Sequence, residues 1–211
     1  MRIILASGSP RRRELLAQAG YTFEIEVSDA DEHITADSPG EMVEKLAFRK
    51  AEAVAQLHLD EEEPCIVIGA DTIVTLEGDI LGKPEGEQDA MRMLSALSGR
   101  THQVYTGVAI FLLWNGESKK NRIFHECTDV MMRELTEEEI CRYIAAGEPM
   151  DKAGAYGIQG KAAVFVSGIR GDYYNVVGLP VCHTAKELEE LLRFASRLVS
   201  EINDISAEER L

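Results

Sequence analysis

Asp71 is an isolated carboxylate in Ile66-Val67-Ile68-Gly69-Ala70-Asp71-Thr72-Ile73-Val74, a run that is otherwise apolar apart from Gly69 and Thr72. The run reads as a buried strand. A lone carboxylate there is costly unless it is paired, hydrogen-bonded or bound to a metal ion. Asp71 is therefore the leading candidate for chemistry; the structural alternative is a strand-end aspartate that caps a turn or pairs with an arginine.

The second chemical feature is Ser7-Gly8-Ser9-Pro10-Arg11-Arg12-Arg13, in a chain with a net charge of -15. The same chain supplies a control for it. Ser38-Pro39-Gly40-Glu41 also opens a helix, with Ser at the cap, Pro at the first position and Glu at the third, so its acid suits the positive end of the helix dipole. Ser9-Pro10-Arg11-Arg12 repeats the start but puts arginine where the acid belongs, which opposes the dipole. Positive charge gathered on free helix N–H groups suits an anion, above all phosphate. The alternative is a solvated run with local acids such as Glu14. Neither GxxxxGK[ST] nor GxGxxG is present.

Other charged residues fall where an anion site needs them. Lys50 lies beside the apolar stripe Val43, Leu46, Ala47, Ala51 and Val54, so it either snorkels to water or points into a cleft. Lys83 sits in the stiff turn Gly82-Lys83-Pro84, where it can reach a phosphate or remain an exposed turn lysine. Asp29-Ala30-Asp31-Glu32 is a solvated acidic cluster or, with Asp71, a source of oxygen ligands for Mg²⁺ or Mn²⁺. Gly154, Gly157 and Gly160 lie around Gln159 in a segment where backbone can approach a ligand and the Gln amide can read a base edge; a flexible loop is the alternative.

These residues need a scaffold, and the 211-residue chain is long enough for one large domain or two small lobes sharing a cleft. With 37 acidic and 22 basic side chains, general affinity for nucleic acid or an anionic membrane is excluded, so an anionic ligand must meet a local basic site. Cys65, Cys127, Cys141 and Cys182 show no zinc or redox spacing and read as free thiols in a reducing cytoplasm. The run Ile3-Ile4-Leu5-Ala6 is too short for a signal-peptide core. No segment approaches the roughly 20 apolar residues of a membrane span.

Strand-like and helical runs alternate. RIILA precedes a helix from about Pro10 to Ala19, then come a strand-like YTFEIEV and a helix from about Pro39 to His58. CIVIGADTIVTL is a buried strand, followed by a helix near Gln88–Leu97 and two strands joined at Asn115-Gly116, a hairpin signal. TEEEICRYIAAG has a Thr136/Glu139 capping box and a Gly147 stop. AAVFVSGI and DYYNVVGL read as strands, and a last helix as opened by Thr184 and Glu187. Residues 1–200 hold that one large domain or pair of lobes, and 201–211 read as a polar tail. The fold class is α/β with a mixed twisted sheet and flanking helices, because hairpins interrupt the βα alternation.

LASGSPRRRELL, Asp31-Glu32, KLAFRKA, GADTIV, ILGKP, LSGRTHQVYTGVAI, GEPMDKAGAYGIQG and YYNVVGLP together resemble, in order and spacing, the Maf family of nucleoside triphosphate pyrophosphatases. The likeness runs from about residue 2 to 194. It implies two lobes around a central cleft, similar in architecture to inosine triphosphate pyrophosphatases, and hydrolysis of a nucleoside triphosphate to monophosphate and pyrophosphate with a divalent cation, Mg²⁺ or Mn²⁺. By this resemblance Asp71 is the proton acceptor, with Glu32 and Lys83 beside it in catalysis and Glu32 and Asp71 holding the metal. Ser7, Arg12 and Lys50 bind substrate. Arg11, Thr72 and Gln159 match positions linked to substrate choice, and AYGIQG looks like the branch acting on dTTP and UTP, with room for modified pyrimidine nucleotides and a pool-sanitising role. The alternatives are the sister branch acting on 7-methyl-GTP and a nucleotide-binding regulator of cell division or septum formation. Many members are dimers, so a homodimer is also implied.

Overall fold

In a computed structural model of the chain, the described residues are 1–27, 30 and 34–208; of residues 202–208 only the backbone path is described. Glu32, expected to act in catalysis and metal binding, lies outside them.

Among the described residues a seven-stranded mixed sheet organises the chain. β1 (Arg2–Leu5) runs parallel to β3 (Cys65–Leu76) on one side and to β2 (Glu24–Ile25) on the other. β5 (Thr101–Trp114) lies antiparallel to β3 and pairs Gly107 with Asp71. β6 (Glu117–Met132) returns from β5 through Asn115 and Gly116, whose φ values of 50° and 81° are the left-handed pair that a tight hairpin needs. β7 (Val166–Arg170) closes the order β2-β1-β3-β5-β6-β7, and the short β4 (Asp79–Leu81) pairs with the far end of β3.

Strand alternation sorts the side chains to two faces. Leu5, Ile66 and Ile68 face one way, under the helices α1 (Pro10–Gln18), α5 (Tyr173–Val177) and α6 (Val181–Glu208). Ile4, Cys65 and Val67 face the other, against Ala47, Ala51 and Val54 of α2 (Pro39–Ala55). A further core gathers Val74 and Val104 with Leu94 and Leu97 of α3 (Glu87–Leu97) and Ile140 and Tyr143 of α4 (Glu137–Ala145). The cleft opens between this last core and the other two.

Most elements form as their residues dictate. Ser38 Oγ accepts the Glu41 N–H at 3.2 Å, and Thr136 and Glu139 form the reciprocal box. Four expectations need correction. YTFEIEV pairs only over Glu24–Ile25, because Tyr21 and Phe23 turn onto the core under α6. The first half of AAVFVSGI is a 3₁₀ turn, Lys161–Phe165, that precedes β7. DYYNVVGL is helical. Asp172 caps it by accepting the Tyr174 N–H at 2.8 Å, and Gly178, at φ 128°, ends it. Finally, α6 starts at Val181 directly after Pro180, so Thr184 is a buried residue of its first turn rather than its cap, and the helix continues to Glu208.

Candidate active site

In β3 the part-exposed pair is Asp71 and Thr72; every other residue of the strand is buried. The strand thus opens onto the cleft at its adjacent polar pair, Asp71-Thr72, while Thr75 further along is buried. Helix α2 lies close over the other face because Gly69 and Gly107, on adjacent strands, carry no side chains. A Cβ on Gly69 would sit 2.6 Å from Ala51 N, and one on Gly107 would sit 2.7 Å from Glu44 N. This close seat brings Lys50 Nζ to 2.6 Å from Asp71 Oδ1, with both side chains largely buried. Of the two outcomes open to Lys50, the structure has the one that points into the cleft.

Arg12 reaches the same place from α1. Its Nε donates to Gly178 O at 2.8 Å, Nη1 to Ser7 Oγ at 3.2 Å and Nη2 to Thr72 Oγ1 at 3.0 Å. The guanidinium is thereby fixed between α5, the β1–α1 turn and β3, and its charge suits the carbonyl end of α5. Among the described residues Ser9 makes no side-chain cap bond to α1, and the first turn of that helix holds no acid. The contrast with α2 that the sequence suggests is therefore present in the structure.

The facing wall carries Lys83, in the turn after β4, and the segment from Glu148 to Gly160. Gly154 N donates to Gly82 O at 3.0 Å, which ties the two pieces together. Gly157 and Gly160 line the cleft, and two of the glycines also serve the fold. Gly154, at φ 67°, needs a left-handed backbone, and a Cβ on Gly160 would collide with the Glu148 carboxylate. That carboxylate is held by Tyr143 Oη at 3.1 Å and Lys161 N at 3.0 Å. Gln159 is exposed on this wall. Arg11 Nη1 stands 3.9 Å from Asp151 Oδ2, so an ion pair links α1 to the Glu148–Gly160 segment.

Ser7, Arg11, Arg12, Lys50, Asp71, Thr72, Lys83 and Gln159 therefore all line one cleft of about 1010 Å³. Two features of the cleft carry no obvious mark in the sequence. One is α5, whose terminal carbonyl anchors Arg12; its Asp172 cap and Gly178 stop were the available signals. The other is His102, which lies fully buried behind the cleft residue Tyr156 with its Nε2 at 2.7 Å from the phenol oxygen. Burial lowers the His102 pKa to about 4 and raises that of Tyr156, so both are neutral at pH 7.

A mixed α/β sheet with a cleft in which Asp71 pairs with Lys50 and which Arg11, Arg12 and Lys83 also line defines a class: proteins that handle a small polyanion. The chain belongs to the Maf family, whose pattern, described as "Maf-like protein", matches residues 2–191. It is 55% identical over 190 residues to a dTTP/UTP pyrophosphatase of Bacillus cereus strain B4264, covering 90% of this chain and 95% of that one. It is 56% identical over 190 residues to the protein of that name from Bacillus cereus strain ATCC 10987 / NRS 248, covering 90% of this chain and 89% of that one. The protein of that name from Bacillus thuringiensis subsp. konkukian strain 97-27 is 55% identical over 190 residues, covering 90% of this chain and 95% of that one. A solved HAM1 protein from Coxiella burnetii overlays with a TM-score of 0.42 at 15% identity, covering 90% of this chain and 99% of that one. Among the described residues no helix is long and apolar enough to cross a membrane.

Proposed function

We propose that this chain is a nucleoside triphosphate pyrophosphatase that hydrolyses dTTP and UTP to the monophosphate and pyrophosphate. The observation that carries the reading is the Lys50–Asp71 pair, a carboxylate held at 2.6 Å from an ammonium in a cleft that also holds Arg12 and Lys83. The Bacillus relatives, similar over most of the chain, supply the reaction. The exposed free thiols Cys127, Cys141 and Cys182 suit a reducing compartment, which supports a cytoplasmic setting.

In this mechanism the held cations Arg12 and Lys50, with the exposed Lys83 and with Ser7, bind the triphosphate and stabilise the charge that develops on the departing pyrophosphate. Asp71 accepts the proton of the attacking water. Lys50 balances the carboxylate charge before substrate arrives and turns to a phosphate oxygen when it does. Arg11, Thr72 and Gln159 read the base.

Among the described residues no group of three or more His, Cys, Asp or Glu could hold a metal ion. The fit is with a hard cation that takes one or two carboxylates and completes its shell with phosphate oxygens, as Mg²⁺ and Mn²⁺ do. Asp71 would hold it, with Glu32 from the acidic segment. When bound, such a cation polarises the α-phosphate and lowers the pKa of its water.

A steady-state panel of nucleotides assayed for pyrophosphate tests the substrate class. We expect dTTP and UTP to be hydrolysed far faster than 7-methyl-GTP. The reverse preference would assign the chain to the sister branch, and nucleotide binding without pyrophosphate release would leave a regulator in place of an enzyme.

A further inference from the structure

Behind Thr72 lies a chain of polar groups that the cleft does not touch. Thr106 is directly opposite Thr72 across the β3–β5 ladder and is fully buried. Its neighbours on the same face of β5 are Val104 and Val108, both buried, and valine would fill the same space. A hydroxyl in that row carries a burial cost that only its hydrogen bonds offset.

Those bonds have a definite direction. Thr106 Oγ1 donates to Asn175 O at 2.8 Å, and a carbonyl can only accept. Asn175 is itself fixed, because its Nδ2 donates to Val104 O at 2.9 Å and to Thr128 Oγ1 at 3.0 Å. A hydroxyl has one hydrogen, so Thr106 has none left for Thr72. The contact of 2.9 Å between Thr72 Oγ1 and Thr106 Oγ1 is therefore a donation from Thr72. On its other side Thr72 Oγ1 accepts from Arg12 Nη2 at 3.0 Å, since a guanidinium only donates. The hydrogen of Thr72 is committed inward, and what remains for the cleft is a lone pair.

We infer that Thr106 is a specificity-positioning residue: with the Asn175 carbonyl it holds Thr72 as an acceptor only, so the cleft favours a base that offers an N–H and disfavours one that offers a lone pair. This rests on the reading above that Thr72 meets the base. Uracil and thymine present N3–H, whereas cytosine presents an unprotonated N3. Against cytosine the Thr72 lone pair faces another lone pair, and the hydroxyl cannot turn to donate without breaking its bond to Thr106. A site whose polar group is left unmatched by the wrong ligand discriminates more sharply than apolar contact does.

The test compares specificity constants for UTP and CTP in the wild type, Thr106→Val and Thr106→Ser. Valine removes the acceptor and frees the Thr72 hydrogen to face the cleft, so the UTP-to-CTP ratio falls by roughly tenfold. Serine restores the hydroxyl and the ratio. A purely structural role for Thr106 lowers both specificity constants alike, and an unchanged ratio in Thr106→Val overturns the inference. If the valine variant does not fold, neutron diffraction of the deuterated wild-type protein decides the point: deuterium on Thr72 aimed at Thr106 supports the inference, and deuterium aimed into the cleft overturns it. Wild-type protein inert to both dTTP and UTP would instead refute the proposed function, while the neutron result would still report on Thr106.

Discussion

Gly69→Ala tests the link between packing and chemistry. The added Cβ meets Ala51 N at 2.6 Å and Ala51 Cβ at 2.9 Å, with the Ala47 carbonyl closer still. These are helix backbone atoms and a methyl stub, so none can rotate aside. Ordinary contact begins at 3.4 Å, and clearing the Ala47 carbonyl moves α2 off the sheet by about 1 Å. Overpacking of this kind costs about 1–3 kcal/mol. Lys50 immediately precedes Ala51, so a helix shift of that size stretches its bond to Asp71 from 2.6 Å to about 3.6 Å, past useful hydrogen-bond range. A displacement near 1 Å at a catalytic group lowers turnover by up to about 10²-fold. Urea unfolding reads the first effect, and kcat for UTP, taken on folded protein, reads the second. A Gly69→Ala protein with wild-type midpoint and kcat would refute the claim that this glycine seats the helix and thereby places the lysine.

Two further outcomes follow from named contacts. His102 takes a proton at about 6.5 in the unfolded chain but only at about 4 in the folded one, so the unfolded state binds more protons between those values. Stability therefore falls as pH drops from 6.5 toward 4, by about 3 kcal/mol at the lower end, and His102→Asn flattens that limb of a thermal-denaturation series; an unchanged acid limb would remove His102 as its cause. Arg12→Lys keeps the charge but cannot span Gly178 O, Ser7 Oγ and Thr72 Oγ1 with one ammonium, so kcat/KM for dTTP falls roughly 10–100-fold; wild-type kinetics would show that charge alone suffices.

The sequence marks the site more fully than it marks the elements around it. Asp71 stands out because a carboxylate interrupts an apolar strand, and the arginines because a second Ser-Pro helix start in the same chain carries the expected acid. Both signals are local and depend on residue type. The position of Lys50 is half legible: its place beside the apolar stripe leaves two directions, and the choice between them depends on Gly69 and Gly107, which lie far away in the chain. DYYNVVGL misleads because β-branched and aromatic residues suit a strand, while a five-residue helix offers too few turns for a periodic signal. Its cap and stop, Asp172 and Gly178, outweigh that preference once Asn175 is bonded to β5 and β6. Of the glycines near Gln159, Gly157 and Gly160 line the cleft, and Gly160 also makes room for the chain's own Glu148, a contact no local pattern marks.

The central claim is that this cleft cleaves between the α and β phosphates with Asp71 as proton acceptor. Product analysis of UTP turnover by wild type and Asp71→Asn, at matched fold by circular dichroism, tests it most directly. The account predicts UMP and pyrophosphate in equal amounts from the wild type, and a turnover at least ~10²-fold lower from the variant. UDP and orthophosphate as products, or near-normal turnover in Asp71→Asn, would contradict it.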